Sequence, residues 1–294
     1  MMRILITGAS GFVGRNLLKK FTNSKYKVLA LYNKNRPNNI KNKNINFLKF
    51  NIQKKNNFKK IEKFKPNIII HLAWKGIPNF SYSNCNFNFK YSLSFLSKVL
   101  NFKSCKKLIV VGSSYEKNSK SSNIKNLVLF KNKLRKKLEQ ICNKKKIDFG
   151  WFRVFYVFGP GQREKSLVPY LINSLMNNKK PKIKNLFNRN DFIYIDDVTK
   201  VLFQAVKRKL NFLIFEIGSG KLVYVYKICM IIEKIITNKN IFFKPFDLKS
   251  TKLNNTVEMK ASLKILKYKF KNFKTLGIEK SLKKMILNRV NRNL

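Results

Sequence analysis

Acidic side chains are scarce in this chain of 294 residues: 13 Asp and Glu stand against 64 Lys and Arg, a formal net charge of +51. An excess of that size invites an anionic partner, either nucleic acid or a membrane surface. The excess is spread over the whole chain, however, and it accompanies abundant Asn, Ile and Phe with only 11 Gly and 7 Pro. Compositional bias accounts for this better than a nucleic-acid footprint, which clusters on one face. Histidine occurs once, as His71, so a multi-histidine metal centre is excluded, no metal is expected, and any Ser-His-Asp hydrolase depends on that one residue. The four cysteines, Cys85, Cys105, Cys142 and Cys229, form no Cys-x-x-Cys pair. They suggest neither a zinc site nor a disulfide framework, and a reducing cytoplasm suits them. No apolar run approaches the roughly 18 residues of a membrane span. The first run, Ile4 to Ile6, is too short for a signal segment, so neither targeting nor membrane insertion is expected.

What is present suffices for a folded α/β protein, with 44% hydrophobic residues. Apolar runs rich in β-branched residues, at Arg3–Thr7, Lys27–Tyr32, Ile45–Phe50, Asn67–Leu72 and Lys107–Val111, read as strands separated by amphipathic helical stretches. Strands that are apolar without alternation argue for a parallel sheet covered on both faces, a doubly wound architecture. Further on, the pattern predicts a helix near Asn123–Lys146, a strand at Phe149–Tyr156, and helices near Leu167–Met176, Asp197–Lys207 and Val223–Ile236. Asn33–Asn44, Lys117–Asn126 and Phe246–Asn255 read as loops.

The first strand runs into Gly8-Ala9-Ser10-Gly11-Phe12-Val13-Gly14 and then into the helical stretch that begins at Arg15. Glycines at these spacings permit a tight turn (Gly8), close approach of a pyrophosphate (Gly11) and close helix–strand packing (Gly14), with the helix N-terminus facing the anion. A Walker loop would need Gly-Lys-Ser/Thr where Gly14-Arg15-Asn16 stands, and a nucleophile elbow around Ser10 would need glycine in place of Phe12.

With these residues in place, the sequence resembles the extended short-chain dehydrogenase/reductases, the NAD(P)-dependent nucleotide-sugar epimerases, dehydratases and reductases. Further landmarks follow in order: Ile69-Ile70-His71-Leu72-Ala73, Val111-Gly112-Ser113-Ser114, Arg153 through Gly161, Asp191 through Val198, and Phe215 through Gly220. The resemblance implies a Rossmann-type doubly wound sheet in residues 1–160 and a smaller substrate-binding lobe in 161–294, with some segments returning to the first domain. It implies that Gly8, Ser10, Gly11, Phe12, Val13 and Gly14 hold the cofactor pyrophosphate. Leu72, Ala73 and Trp74 would line its adenosine-to-nicotinamide side, Asn51 and Ile52 the adenine, Asn88 would steady the catalytic region, and Phe155 would lie near the nicotinamide. His71 then reads as a strand-end packing residue. Tyr156, Arg163, Leu167 and Val168 would embrace the nucleotide-linked sugar, with Arg189 beside the position where the family places a diphosphate-binding arginine.

After the second strand the chain reads Tyr32-Asn33-Lys34-Asn35-Arg36. The absence of an acid to accept from the ribose hydroxyls, with Lys34 and Arg36 available to a 2′-phosphate, favours NADP(H) over NAD(H). The resemblance further implies a Ser at the end of the fifth strand, met by Ser113, and a Tyr-x-x-x-Lys pair on one helix face. Lys133 fits the lysine, and it would also hold the nicotinamide ribose. Leu129, four residues earlier, replaces the tyrosine, leaving Tyr115 as the candidate phenol, with Tyr156 as another. The implied activity is hydride transfer at a sugar carbon in surface-polysaccharide synthesis, most like the 4-keto-sugar reductases and epimerases, by a homodimer paired through two long helices. Two other readings stay open: a cofactor-binding protein impaired in catalysis, and a basic binder of nucleic acid or membrane surfaces.

Overall fold

Strands that are apolar along their whole length need cover on both faces, and the computed structural model supplies it. It describes residues 1–37, 40, 42–53, 58–117, 122–244 and 258–293, of which 122 and the last four are described as backbone only. The strands are β1 (Arg3–Thr7), β2 (Lys27–Tyr32), β3 (Ile45–Lys49), β4 (Ile68–His71), β5 (Lys107–Ser113), β6 (Asp148–Val154), β7 (Tyr156–Phe158), β8 (Arg189–Asn190), β9 (Phe192–Tyr194), β10 (Leu213–Ile217) and β11 (Val223–Tyr224). The helices are α1 (Phe12–Phe21), α2 (Lys59–Phe64), α3 (Tyr82–Val99), α4 (Lys125–Lys144), α5 (Leu167–Met176), α6 (Ile195–Ala205), α7 (Val225–Thr237), α8 (Lys264–Lys269) and α9 (Ile278–Asn293).

Seven strands form one parallel sheet in the order β3-β2-β1-β4-β5-β6-β10. This is the doubly wound Rossmann-type sheet the sequence predicts. Its order reverses between β1 and β4, where such sheets open a crevice at their carboxyl ends. Successive residues of a strand face opposite sides, and the core divides accordingly. Ile4 and Ile6 pack with Leu17, Leu18 and Phe21 of α1 and with Val198, Val201 and Leu202 of α6. Leu5 packs on the other side with Phe95, Leu96 and Val99 of α3 and with Leu134, Leu138 and Cys142 of α4.

The expected boundaries shift where hydrogen bonding outruns composition. β5 continues two residues past Val111 to Ser113. The strand expected over Phe149–Tyr156 breaks at Phe155: β6 stays in the large sheet and β7 pairs with β9. α6 begins at Ile195, ahead of the expected Asp197. The expected loop at Lys117–Asn126 contains a 3-10 turn at Ser122–Ile124 and the start of α4, and the one at Phe246–Asn255 lies outside the described residues.

The few carboxylates are spent on buried amides. Glu233 is buried and accepts from the backbone N–H groups of Ile241, Phe242 and Phe243 at 2.8–3.1 Å. Asp191 accepts from the N–H groups of Ser219, Gly220 and Ala261. At the sheet edge Asp148 accepts from Leu210 and Asn211, while the Lys107 ammonium, 3.5 Å from Asp148, donates to the carbonyls of Ala205, Val206 and Arg208 beyond α6.

Candidate active site

β1 ends at Thr7, and the backbone turns through Gly8 at φ +68°, a conformation that favours glycine. The Gly11 N–H donates to the Gly8 carbonyl at 3.0 Å, and α1 starts at Phe12 with no side chain capping its first turn. A methyl group on Gly14 would lie 2.2 Å from the Gly8 oxygen, and one on Gly8 would lie 2.9 Å from the Ala73 nitrogen. A methyl on Gly11 would meet only the Gly8 oxygen, at 3.2 Å. Two glycines therefore hold helix and strands together, and the third keeps one side of the loop open above uncapped amides, as a pyrophosphate needs. Phe12 and Val13 turn inward, half-buried against the core. These residues fit a dinucleotide cofactor.

The floor beside the loop is set by a buried chain of hydrogen bonds. Thr7 Oγ1 accepts from the Leu72 and Ala73 N–H groups and lies 2.9 Å from His71 Nδ1, while His71 Nε2 lies 3.1 Å from Ser92 Oγ on α3. Burial and the nearby Lys131 charge push the His71 pKa down to about 3, so its imidazole is neutral. It is a packing residue, as the sequence suggests. Asn88 is buried on α3. It accepts from the Lys75 N–H at 2.7 Å and donates to the Lys75 carbonyl at 2.9 Å, clamping the segment after Trp74.

Between the glycine loop and the segment after β2 lies a cleft of about 720 Å³ whose lining includes Ser10, Arg15, Lys19, Lys34, Arg36, Lys75 and the Pro160–Gly161 turn. None of the described residues that line it is acidic, so the cleft focuses positive potential on an anion. Arg36 also stacks over Phe47 at 4.7 Å. Arg15 and Asn16 donate to the Gly161 and Pro160 carbonyls at 3.1 and 3.0 Å, tying the turn after β7 across the loop. Sequence reasoning did not single out Arg15, although its place directly after Gly14 is the signal for it. Asn51 accepts from the Gln53 N–H, and Ile52 packs against the α3–α4 side of the core.

At the far end of the crevice stands Ser113, the last residue of β5, with the Tyr115 N–H donating to its Oγ at 3.3 Å. Two residues earlier on β5, the Val111 carbonyl meets Lys131 of α4. It is buried, donates to the Val111 carbonyl at 3.0 Å, and lies 4.0 Å from the Trp74 ring centroid and 5.9 Å from that of Trp151. Burial pulls its pKa down to about 8, against the opposing pull of the Glu116 carboxylate. The Trp74 indole nitrogen is buried with no hydrogen-bond partner among the described residues, a donor left over for a ligand.

Lys133 and Leu129, expected to stand as the lysine and in place of the tyrosine, lie on the exposed face of α4. Lys133 is exposed, with its ammonium 5.3 Å from the Phe89 ring centroid, and Leu129 is 53% exposed. The buried stripe of α4 runs through Leu127, Lys131, Leu134, Leu138 and Cys142. Residues four apart share a face, so the helix carries Leu127-x-x-x-Lys131 inward and Leu129-x-x-x-Lys133 outward. Leu127, 2% exposed, is the residue one turn before the inward lysine, and it too lacks a hydroxyl.

Both remaining phenols are partly buried. Burial raises the pKa of Tyr115, and burial together with the charge of Tyr115 raises that of Tyr156 to about 12. Phe155 is 4% exposed. Val168 of α5 is fully buried in the core, so the expectation that it touches a sugar is corrected, and only its half-buried neighbour Leu167 reaches the surface. Arg163 donates to the Ile77 carbonyl. Arg189 is paired through two nitrogens with Glu258, so a diphosphate would have to compete with that carboxylate.

A glycine loop at the switch point of a doubly wound parallel sheet, opening on an uncapped helix N-terminus, defines a dinucleotide-binding protein of the Rossmann type. Residues 4–218 match the NAD dependent epimerase/dehydratase family, and the chain belongs to it. It is 30% identical over 252 residues to a dTDP-D-glucose 4,6-dehydratase of Dictyostelium discoideum, covering 71% of this chain and 56% of that protein. It is 28% identical to a CDP-abequose synthase of Salmonella muenchen, covering 79% of this chain and 80% of that one. The match thus spans little more than half the length of the Dictyostelium relative. Its fold is also that of the UDP-glucose 4-epimerase of Thermotoga maritima, with a TM-score of 0.79 over 100% of both chains at 19% identity. Among the described residues no helix is long and apolar enough to cross a membrane.

Proposed function

We propose that this protein is an NAD(P)-dependent enzyme acting on a nucleotide-linked sugar in surface-polysaccharide synthesis, as an epimerase, dehydratase or 4-keto-sugar reductase. The observation that carries this reading is the convergence of the open glycine loop, Ser113 and a buried Lys131 at the carboxyl ends of β1 and β5, in a family whose relatives here include a sugar-nucleotide dehydratase and a CDP-abequose synthase. The nicotinamide, when bound, supplies or accepts the hydride. Ser113 Oγ hydrogen-bonds the reacting sugar oxygen, Lys133 holds the nicotinamide ribose, and the buried Lys131 ammonium on the Val111 carbonyl adds positive charge behind that end of β5. Tyr115 is the phenol nearest Ser113 in sequence and stands as the proton donor, with Tyr156 beside it. Arg163 and Leu167 lie on the sugar-nucleotide side.

The five basic residues of the cleft, with Lys34 and Arg36 after β2, support NADP(H) over NAD(H). The outer faces of α3 and α4 leave Tyr82, Phe87 and Leu129 exposed at 60%, 37% and 53%, and burying this patch supports a homodimer paired through those helices. The four free, buried cysteines suit a reducing compartment such as the cytoplasm.

A second reading, a cofactor-binding protein impaired in catalysis, is favoured by Leu129 in the place of the tyrosine, with Leu127 on the inward face of the helix equally without a hydroxyl. Incubating the purified protein with NADPH, NADH and a panel of nucleotide sugars and their 4-keto derivatives, followed by mass spectrometry, separates the two. Conversion of a sugar nucleotide is expected. Cofactor binding without conversion of any of them would make the second reading the right one.

A further inference from the structure

We infer that Glu116 is a positioning residue of this site, a single buried carboxylate that fixes the Ser113 turn and serves as the counter-charge of the Lys131 ammonium. The catalytic half of this inference rests on the function proposed above; the electrostatic half stands on the apo protein.

The Glu116 side chain is fully buried in the 3-10 turn Ser114–Lys117 that follows β5. Its Oε1 accepts from the Ser113 N–H at 2.7 Å, and its Oε2 accepts from Trp151 Nε1 at 2.8 Å and from Arg153 Nε at 3.0 Å. Both oxygens are thus committed, one to the backbone of the candidate catalytic serine and one to β6. Gly112 makes room for the arrangement: a methyl group there would lie 2.3 Å from Trp151 Nε1 and 2.4 Å from Glu116 Oε1. A carboxylate removed from water needs partners for its lone pairs and for its charge. Arg153 meets part of that charge, and the Lys131 ammonium lies 5.9 Å from the ring centroid of the same Trp151 whose Nε1 the carboxylate accepts from.

Lys131 has the complementary need. The groups that act on it are the Val111 carbonyl, the faces of Trp74 and Trp151, the Cys85 thiol of α3, the neutral imidazole of His71 and the carboxylate of Glu116. Among these, Glu116 is the carboxylate, and it opposes the burial that pulls the lysine toward its neutral form. A carboxylate serving only as a staple for the β5 turn would bind Ser113, Trp151 and Arg153 equally well without bearing on Lys131. The arrangement links the two instead: the oxygen-binding Ser113 and the buried Lys131 depend on one side chain.

The protein carries its own reporter, because its two tryptophans, Trp74 and Trp151, are the two rings that flank Lys131. Tryptophan emission of the full-length apo protein, followed against pH, is expected to titrate with a midpoint near 8, and Lys131→Met is expected to abolish that transition. Glu116→Gln removes a negative charge and is expected to move the midpoint to lower pH. Arg153→Gln removes a positive charge and is expected to move it to higher pH. Opposite displacements follow from charge, whereas loosening of a staple would move both the same way.

In turnover, Glu116→Gln is expected to shift the alkaline limb of the kcat profile toward acid in step with the emission midpoint. It is also expected to lower kcat by about 100-fold, the cost of misplacing an aligned group by about an ångström. A midpoint unchanged in Glu116→Gln overturns the inference. If that variant does not fold, an unchanged or lowered midpoint in Arg153→Gln overturns it instead. Midpoints displaced in opposite directions, with no sugar nucleotide turned over, support the Glu116–Lys131 coupling and count against the proposed reaction.

Discussion

Leu127 lies one helical turn before Lys131 on the buried stripe of α4, so an isobutyl group is packed in the core beside the turn that carries the ammonium. A tyrosine introduced there would share a helix face with Lys131, but the larger side chain in a packed site is expected to cost about 1–3 kcal/mol of stability. Leu127→Tyr is therefore expected to lose stability and to leave turnover unchanged. Leu129→Tyr, one turn before Lys133 on the exposed face, is expected to raise turnover on a nucleotide-linked sugar, within the roughly 100- to 10,000-fold range of a positioned proton donor. Steady-state kinetics of the two variants side by side decide between the two helix phases.

Two neighbouring glycines are expected to fail in different ways. Gly11→Val puts a side chain on the open side of the loop, so calorimetry is expected to find dinucleotide binding lost while circular dichroism and melting stay near those of the natural protein. Gly14→Ala forces a methyl to 2.2 Å from the Gly8 oxygen, and this variant is expected to lose stability itself. Unchanged cofactor affinity in Gly11→Val would remove the loop from the binding site.

Removing Lys34 and Arg36 together is expected to weaken NADPH by about tenfold or more, the worth of hydrogen bonds to a charged group. NADH, which has no 2′-phosphate, is expected to lose little. Equal losses in fluorescence titrations would mean that the two charges are background to the cleft.

His71 predicts how stability responds to acid. Its folded pKa of about 3 lies below the ordinary 6.5, so between those values the unfolded chain binds the proton that the folded chain refuses. Its contribution is complete above about pH 6.5 and is lost as pH falls toward 3. The slope approaches about 1.4 kcal/mol per pH unit. Denaturant titrations across this window are expected to give a shallower pH dependence for His71→Gln, which keeps hydrogen-bonding atoms and cannot titrate there. An identical slope would mean that the imidazole is not held neutral.

The parallel sheet was legible because strands buried on both faces must be apolar throughout, and Arg3–Thr7 and Lys27–Tyr32 are so from end to end. The glycine loop was legible because its chemistry is local. The phase of α4 was not: from Lys131 to Lys137 five of seven residues are basic, so composition alone could not tell which lysine points inward. Extending the Leu134, Leu138 and Cys142 stripe backward by one turn arrives at Lys131, and this was the available signal. Glu116 gave no signal, since its importance lies in Trp151 and Arg153, which only the pairing of β5 with β6 brings to it.

The last strand of the large sheet has a consequence for how the chain can be made. β10 completes the edge beside β6, and Phe203 of α6 packs edge-on against Phe21 of α1 at 5.0 Å and against Tyr26 at 6.0 Å. When the nucleotide-binding half leaves the ribosome, one outer edge of its sheet and the apolar flank of its first helix are still waiting for residues some fifty positions beyond the Pro160 turn. A fragment cut there would present both to solvent, an open strand edge and an uncovered aromatic pocket, the two features most prone to association. The first 160 residues are therefore not a separable product of synthesis: their sheet is finished only by the chain that follows.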